Sequence, residues 1–274
     1  MAENLMLDFS HICFEDPKLE KSGLRYIDLS DIGGTDMYCT KEAADEIRRR
    51  LVSCTPGGIH FLDNGNYHYA TLFFLEKIRE PFSLVLIDHH TDMQKPMLAP
   101  LVSCGSWAGK ALCSFEYLKQ MILIGPERKS MELIDEKLRD KLICITTDDI
   151  VRGRAEDEIG KIDLELPIYI SLDKDVLSAC YARTNWNQGE MSMDILKKLL
   201  LEIFVHQKVI GVDICGECSF QEPLPQLAED TKVNIKANQS LYRYLIKLFG
   251  FQKHEIFATM SSDEFNKSQN QGAT

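Results

Sequence analysis

The chain has 274 residues, 45% of them hydrophobic and 27% charged, with a formal net charge of -11 and a pI near 5.2. That length and apolar content suit one large α/β domain, and the acidic balance disfavours nucleic acid, whose phosphates call for basic patches. The nine cysteines are scattered, with Cys215 and Cys218 alone at Cys-x-x-Cys spacing, which argues against a disulfide framework or a zinc ribbon. With no signal peptide or membrane-length apolar run, the expected home is the cytoplasm, with no membrane partner.

Apolar runs that read as strands follow one another along the chain at Gly23–Leu29, Gly58–Asp63, Ser83–Asp88, Gln120–Gly125, Lys141–Thr146, Pro167–Asp173, Val209–Ile214 and Glu255–Met260. Helical patterns fall between most of them. The clearest runs from Met193 to His206 behind Ser192 as N-cap, with Ile195, Leu196, Leu199, Leu200 and Ile203 at three- and four-residue spacing. A second covers Asn238–Phe249, with Gly250 as its expected C-cap. Alternation of strand and helix predicts a three-layer α/β/α fold around a mostly parallel sheet of eight strands. Residues 1–262 are expected to form this single domain, and the polar, aperiodic residues 263–274 a flexible tail.

Three of the predicted strands end in chemistry. The run Ser83-Leu84-Val85-Leu86-Ile87 delivers Asp88-His89-His90-Thr91-Asp92, and strand periodicity puts Asp88, His90 and Asp92 on one side. The run ending at Leu172 continues as Asp173-Lys174-Asp175 with the same alternation, and Gly58–Asp63 leads into Asn64-Gly65-Asn66-Tyr67-His68. Ligands in open parallel sheets gather beyond the carboxyl ends of the strands. Six side chains there, His68, Asp88, His90, Asp92, Asp173 and Asp175, suffice for two divalent ions sharing two carboxylates, and their oxygen-rich mixture suits Mn2+. Taken alone, the Asp88–Asp92 run is equally well a solvated turn.

Together, Gly65-Asn66-Tyr67-His68, Asp88-His89-His90-Thr91-Asp92 and Ser171-Leu172-Asp173-Lys174-Asp175 resemble the three motifs of the arginase and agmatinase family, the ureohydrolases, in order and spacing. The resemblance runs from about Gly58 to Glu217. It implies an arginase-like fold and one Mn2+ held by His68, Asp88, Asp92 and Asp173. A second would be held by Asp88, His90, Asp173 and Asp175, with Asp88 and Asp173 bridging. It implies hydrolysis of a C–N bond in a guanidino, amidino or related amide compound by a hydroxide bridging the two metals, and a small cationic or amide-bearing substrate. Asp92 would relay a proton, and Glu217, just after Val209–Ile214, would face the substrate's cationic group. Family members often assemble as trimers or hexamers, so a homo-oligomer is expected by resemblance.

The departures bear on the substrate. Ala108 stands where arginases carry a proton-shuttling His, and an alanine cannot transfer a proton. Gln94 and Ser106 are the nearest matches to the residues that grip the amino-acid end of arginine, Glu127-Arg128-Lys129 replaces an acidic pattern, and the interval from Asp213 to Glu217 is one residue longer than usual. Arginine itself is therefore a poor candidate. Trp107 is a candidate pocket wall, and His60 a second proton-transfer candidate, each with a core-packing alternative. Two other functions stay open. One is a phosphoesterase of the Asp-His-His class, which Asp88-His89-His90 also resembles but which leaves Asp173 and Asp175 without a role. The other is a metal-binding sensor or scaffold of the arginase fold that has lost turnover.

Overall fold

A computed structural model describes residues 3–12 and 23–270, the backbone alone from 254 onward. Its main sheet has eight strands in the order β2-β1-β4-β10-β9-β5-β7-β8, and every pairing is parallel. They are β1 (Leu5–Asp8), β2 (Arg25–Asp28), β4 (Gly58–Phe61), β5 (Phe82–Ile87), β7 (Leu118–Ile124), β8 (Leu142–Ile145), β9 (Ile168–Asp173) and β10 (Val209–Cys215). A two-stranded antiparallel ribbon joins β3 (Tyr38–Cys39) to β6 (Val102–Ser103). The expected α/β/α architecture is therefore present.

The sheet forms because its central strands carry continuous apolar runs that can be buried on both faces. In β5, Leu84 and Leu86 enter one core while Val85 and Ile87 enter the other; in β7, Met121 and Leu123 part in the same way from Ile122 and Ile124. One core is closed by α1 (Lys41–Arg50) through Ala43 and Ile47 and by α2 (Trp107–Ser114) through Trp107, Ala111 and Leu112. The other is closed by α3 (Met193–His206) through Leu196, Leu200 and Phe204 and by α4 (Leu224–Asn270) through Leu241 and Leu245. The expected cap holds, since Ser192 accepts a hydrogen bond from Ile195 N at the start of α3.

Two expectations fail at the ends of the chain. The backbone of 255–260 lies inside α4, and the eighth strand is instead Leu5-Met6-Leu7-Asp8 at the N-terminus, whose Leu5 and Leu7 enter a core. Gly250 does not end the helix. It lacks the left-handed conformation that a glycine C-cap adopts, and a glycine within a helix costs only about 1 kcal/mol relative to alanine. Of the tail expected at 263–274, residues 271–274 lie outside the described residues, and 263–270 continue the helical backbone.

Strand order places the site. The chain leaves β4, skips two strand positions to lay down β5, and later fills the gap with β9 and β10. The carboxyl ends of β4, β10, β9 and β5 thus lie side by side, where such a change of winding direction opens a crevice.

Candidate metal centre

His68 enters the crevice from a 3-10 turn, Gly65–Thr71, that follows β4 and is started by Asn64 accepting from Asn66 N. Its Nδ1 lies 3.4 Å from Asp88 Oδ2, 3.1 Å from Asp92 Oδ2 and 3.4 Å from Asp173 Oδ2. Across Asp88, His90 Nδ1 is 2.7 Å from Asp175 Oδ2 and 3.6 Å from Asp88 Oδ1. The six predicted ligands therefore converge. Their donor atoms include two triads compact enough for an ion, His68 with Asp88 and Asp92, and Asp88 with His90 and Asp175, so that Asp88 is common to both.

Backbone hydrogen bonds aim the carboxylates. His90 N donates to Asp88 Oδ1 at 2.6 Å, His89 N to Asp175 Oδ1 at 3.0 Å, and Asp175 N to Asp173 Oδ1 at 2.8 Å. Asp92 is held by the first turn of α2: Ala108 N and Gly109 N donate to its carbonyl, and Trp107 Nε1 donates to its Oδ2 at 2.6 Å. Its backbone is left-handed, with φ of 50°, a conformation uncommon outside glycine that the α2 contacts sustain.

The hydrogen-bond chain behind His68 tests whether the site fits a cation. Asp213, buried in β10, accepts from Ser171 Oγ at 2.6 Å, so the Ser171 oxygen is left to accept from His68 Nε2 at 2.9 Å. With its proton on Nε2, His68 turns the Nδ1 lone pair toward three carboxylates. Lone pair and carboxylates repel unless a positive charge lies between them. Without a cation the protein's own protons must serve. Burial, then Asp175 and Asp92, push Asp88 well above the usual carboxylate range, and burial likewise raises Asp173 and Asp175. Burial lowers His68, but Asp92, Asp173 and Asp88 outweigh it and bring it up to about 10. Four carboxylates against two imidazoles fit a pair of divalent ions, with overall charge near neutrality.

The six side chains line one cavity of about 190 Å3. Tyr38, Gln94, Met97, Ser103, Cys104 and Trp186 supply much of the remaining wall, and the β3–β6 ribbon fixes Tyr38 beside Ser103. Gln94 lines the cavity. Ser106 is buried at the head of α2, bonded to Ser103, and does not line the cavity. Trp107 is fully buried, its ring 4.9 Å from that of His68. It orients Asp92 and is not a pocket wall. Ala108 is buried too, so its side chain does not reach the cavity. His60 stacks on Phe74, and burial lowers it to about 3, which leaves it a neutral packing residue.

Glu217 departs most from its expected place. Its carboxylate pairs with Lys174 Nζ and accepts from Asn238 Nδ2 at 2.7 Å, and the side chain is outside the cavity wall. Gly216 precedes it, and a Cβ there would collide with Asp173 Oδ1. Glycine at 216 lets the backbone pass close to Asp173, and Glu217 turns to Lys174 and Asn238. Sequence reasoning missed Lys174 as its partner, although alternation in Asp173-Lys174-Asp175 already placed Lys174 away from the two ligands. It also missed Ser171, Asp213 and Trp186.

The Arginase family model matches residues 15–228. An uncharacterized protein of Thermotoga maritima is 30% identical over 239 residues, covering 86% of this chain and 88% of its own. Among solved structures, an arginase from Medicago truncatula superposes with a TM-score of 0.59 at 14% identity, covering 89% of this chain and 85% of that one. A Trypanosoma cruzi formiminoglutamase determined with Mn2+ gives 0.59 at 13%, covering 92% and 94%. A proclavaminate amidino hydrolase from Streptomyces clavuligerus gives 0.58 at 18%, covering 80% and 76%. With the three motifs meeting at one sheet edge and the family model spanning most of its length, the chain belongs to the arginase family.

Proposed function

We propose that this protein is a dimetal hydrolase of C–N bonds, acting on a guanidino, amidino or amide compound other than arginine. The observation that carries the reading is the pair of donor triads sharing Asp88 on the floor of one cavity. His68, Asp88, Asp92 and Asp173 would hold one ion, and Asp88, His90, Asp173 and Asp175 the other. The oxygen-rich set favours Mn2+. When bound, such a pair lowers the pKa of coordinated water and stabilises negative charge developing on the substrate.

The chain's own side chains do the remaining work. Asp92, fixed by Trp107 and the head of α2, accepts the proton of the attacking water and passes it to the departing nitrogen. The Ser171–Asp213 pair keeps His68 in the tautomer that can act as ligand. Gln94 and Ser103 offer neutral hydrogen bonds to the substrate. The phosphoesterase reading gives Asp173 and Asp175 no part, whereas here they sit among the other ligands. Burial of Ala108 and the turning away of Glu217 favour one further reading, a ligand-binding member without turnover.

The test is metal analysis of the purified protein, followed by ammonia, urea and amine release across guanidine, amidine and amide panels. Two ions and a released nitrogen product support the hydrolase. Two ions and tight ligand binding without product support the binding protein, and phosphate release from phosphoesters alone contradicts both.

A further inference from the structure

We propose that the ligand of this centre is an uncharged carboxamide bearing a flat apolar group that packs on Trp186. The inference rests on the C–N hydrolase reading and narrows its substrate class. The first observation is charge. Among the described residues, every titrating carboxylate or imidazole in the cavity wall is one of the six metal ligands, and no Lys, Arg or Glu lines it. All four carboxylates of the floor are engaged in offsetting two divalent ions, so none is left to pair with a guanidinium, and burying an unpaired cation is costly. Glu217 does not supply the missing charge, because Lys174 and Asn238 already occupy its carboxylate. The acidic surface as a whole acts on encounter rates more than on choice within the pocket.

The second observation is Trp186. Its Nε1 donates to Asn66 Oδ1 at 3.0 Å, and its ring lies 6.0 Å from that of His90 at 72°. Gly65 lies directly against it, since a Cβ there would come within 2.5 Å of Trp186 Cδ1. Held in this way, yet 37% exposed, the indole presents a fixed apolar surface beside the ligand cluster, and the exposed Met37 and Met97 line the same cavity. Such an aromatic wall selects a flat or apolar group. The neutral donors and acceptor of Gln94, with the Ser103 hydroxyl oxygen as a further acceptor, suit an amide. In the reaction, water adds its oxygen to the carbonyl carbon, the C–N bond breaks, and carboxylate and ammonium leave. No other reactant is needed.

The experiment uses the full chain reconstituted with Mn2+ and a matched pair of probes, an arylalkyl carboxamide and the guanidine with the same arylalkyl group. Binding is read by calorimetry and turnover by ammonia or urea release. The carboxamide should bind about tenfold or more tightly than the guanidine, the cost of an unpaired cation in a confined site. Trp186→Ala should weaken carboxamide binding about 3- to 10-fold through lost ring contact while two ions stay bound. Gln94→Glu, which puts a carboxylate into the wall, should tighten the guanidine and not the carboxamide. Equal or tighter binding of the guanidine by the unaltered protein, or no binding of either probe, overturns the inference. Guanidine turnover in the first case would leave the hydrolase reading intact. Selective carboxamide binding without product overturns the hydrolase reading and supports the ligand class.

Discussion

The two sides of the Asp173-Lys174-Asp175 segment make opposite use of buried charge. On one side Lys174, Glu217 and Asn238 form a closed set, bonded to one another and shut off from the cavity. On the other, Asp173 and Asp175 join Asp88 and Asp92 around two imidazoles, with more negative charge than the chain can match. A buried ion pair that balances itself asks nothing of solvent or ligand. An unbalanced cluster kept in the same protein identifies where a cation belongs.

The sharpest break in this contrast is Asp173→Asn, which withdraws one carboxylate from the unbalanced side. Metal affinity should fall by more than ~100-fold, beyond the 10- to 100-fold typical of losing a residue that only supports a ligand, and activity should vanish with it. Calorimetry and elemental analysis check this, and retention of both ions would contradict it. On the balanced side, Lys174→Met strands Glu217 and should destabilise the fold by about 3–5 kcal/mol. The double variant Lys174→Met/Glu217→Gln should recover most of that loss in urea denaturation. No recovery would mean the pair is not the relevant contact.

pH separates the two sides further. Asp213 and Asp63 are raised by burial from 3.8 to about 6. For an acid whose folded pKa is raised, the folded state holds the proton more tightly. The stability it contributes is present below pH 3.8 and disappears as pH rises through about 6. A shift of about two units corresponds to roughly 3 kcal/mol for each group, and the raised Asp88, Asp173 and Asp175 act in the same direction. His60, lowered by burial to about 3, acts in the opposite direction, but the five raised carboxyls outnumber it, and chelator-treated protein should melt at lower temperature as pH rises from about 4 to 7. Added Mn2+ should weaken the trend, because ion binding releases the protons of Asp88, Asp173 and Asp175. A melting temperature that rises with pH in chelator would contradict this. The smallest effect is expected of Trp107→Phe, which deletes the Nε1 donor to Asp92. About 1 kcal/mol of stability and some 10-fold in metal affinity should be lost, as read by thermal melts and metal titration.

The candidate ligands were legible because each follows an apolar run that reads as a buried strand and so lies near a carboxyl end of the sheet. Their directions come from the turns beyond the strands: Asp175 lies in a 3-10 turn and Asp92 is left-handed, so alternation alone does not aim them. The sheet was legible through apolar runs of the same kind, apart from Leu5-Met6-Leu7-Asp8, where four residues give periodicity little to work on. Glu255–Met260 misled because an apolar stretch inside a long helix resembles a strand until its neighbours are known. Trp186 sits in irregular backbone between β9 and α3, where no periodicity announces a wall. Glu217 was visible as a carboxylate near the right strand end, but its direction depended on Gly216 fitting against Asp173 and on Lys174 from the turn after β9. Those are tertiary facts.

The most direct test is anomalous diffraction from crystals of the manganese-reconstituted protein, with elemental analysis of the same sample. The account predicts two ions per chain, one among His68, Asp88, Asp92 and Asp173, the other among Asp88, His90, Asp173 and Asp175. Protein that takes up no metal, or places it away from these side chains, would contradict it.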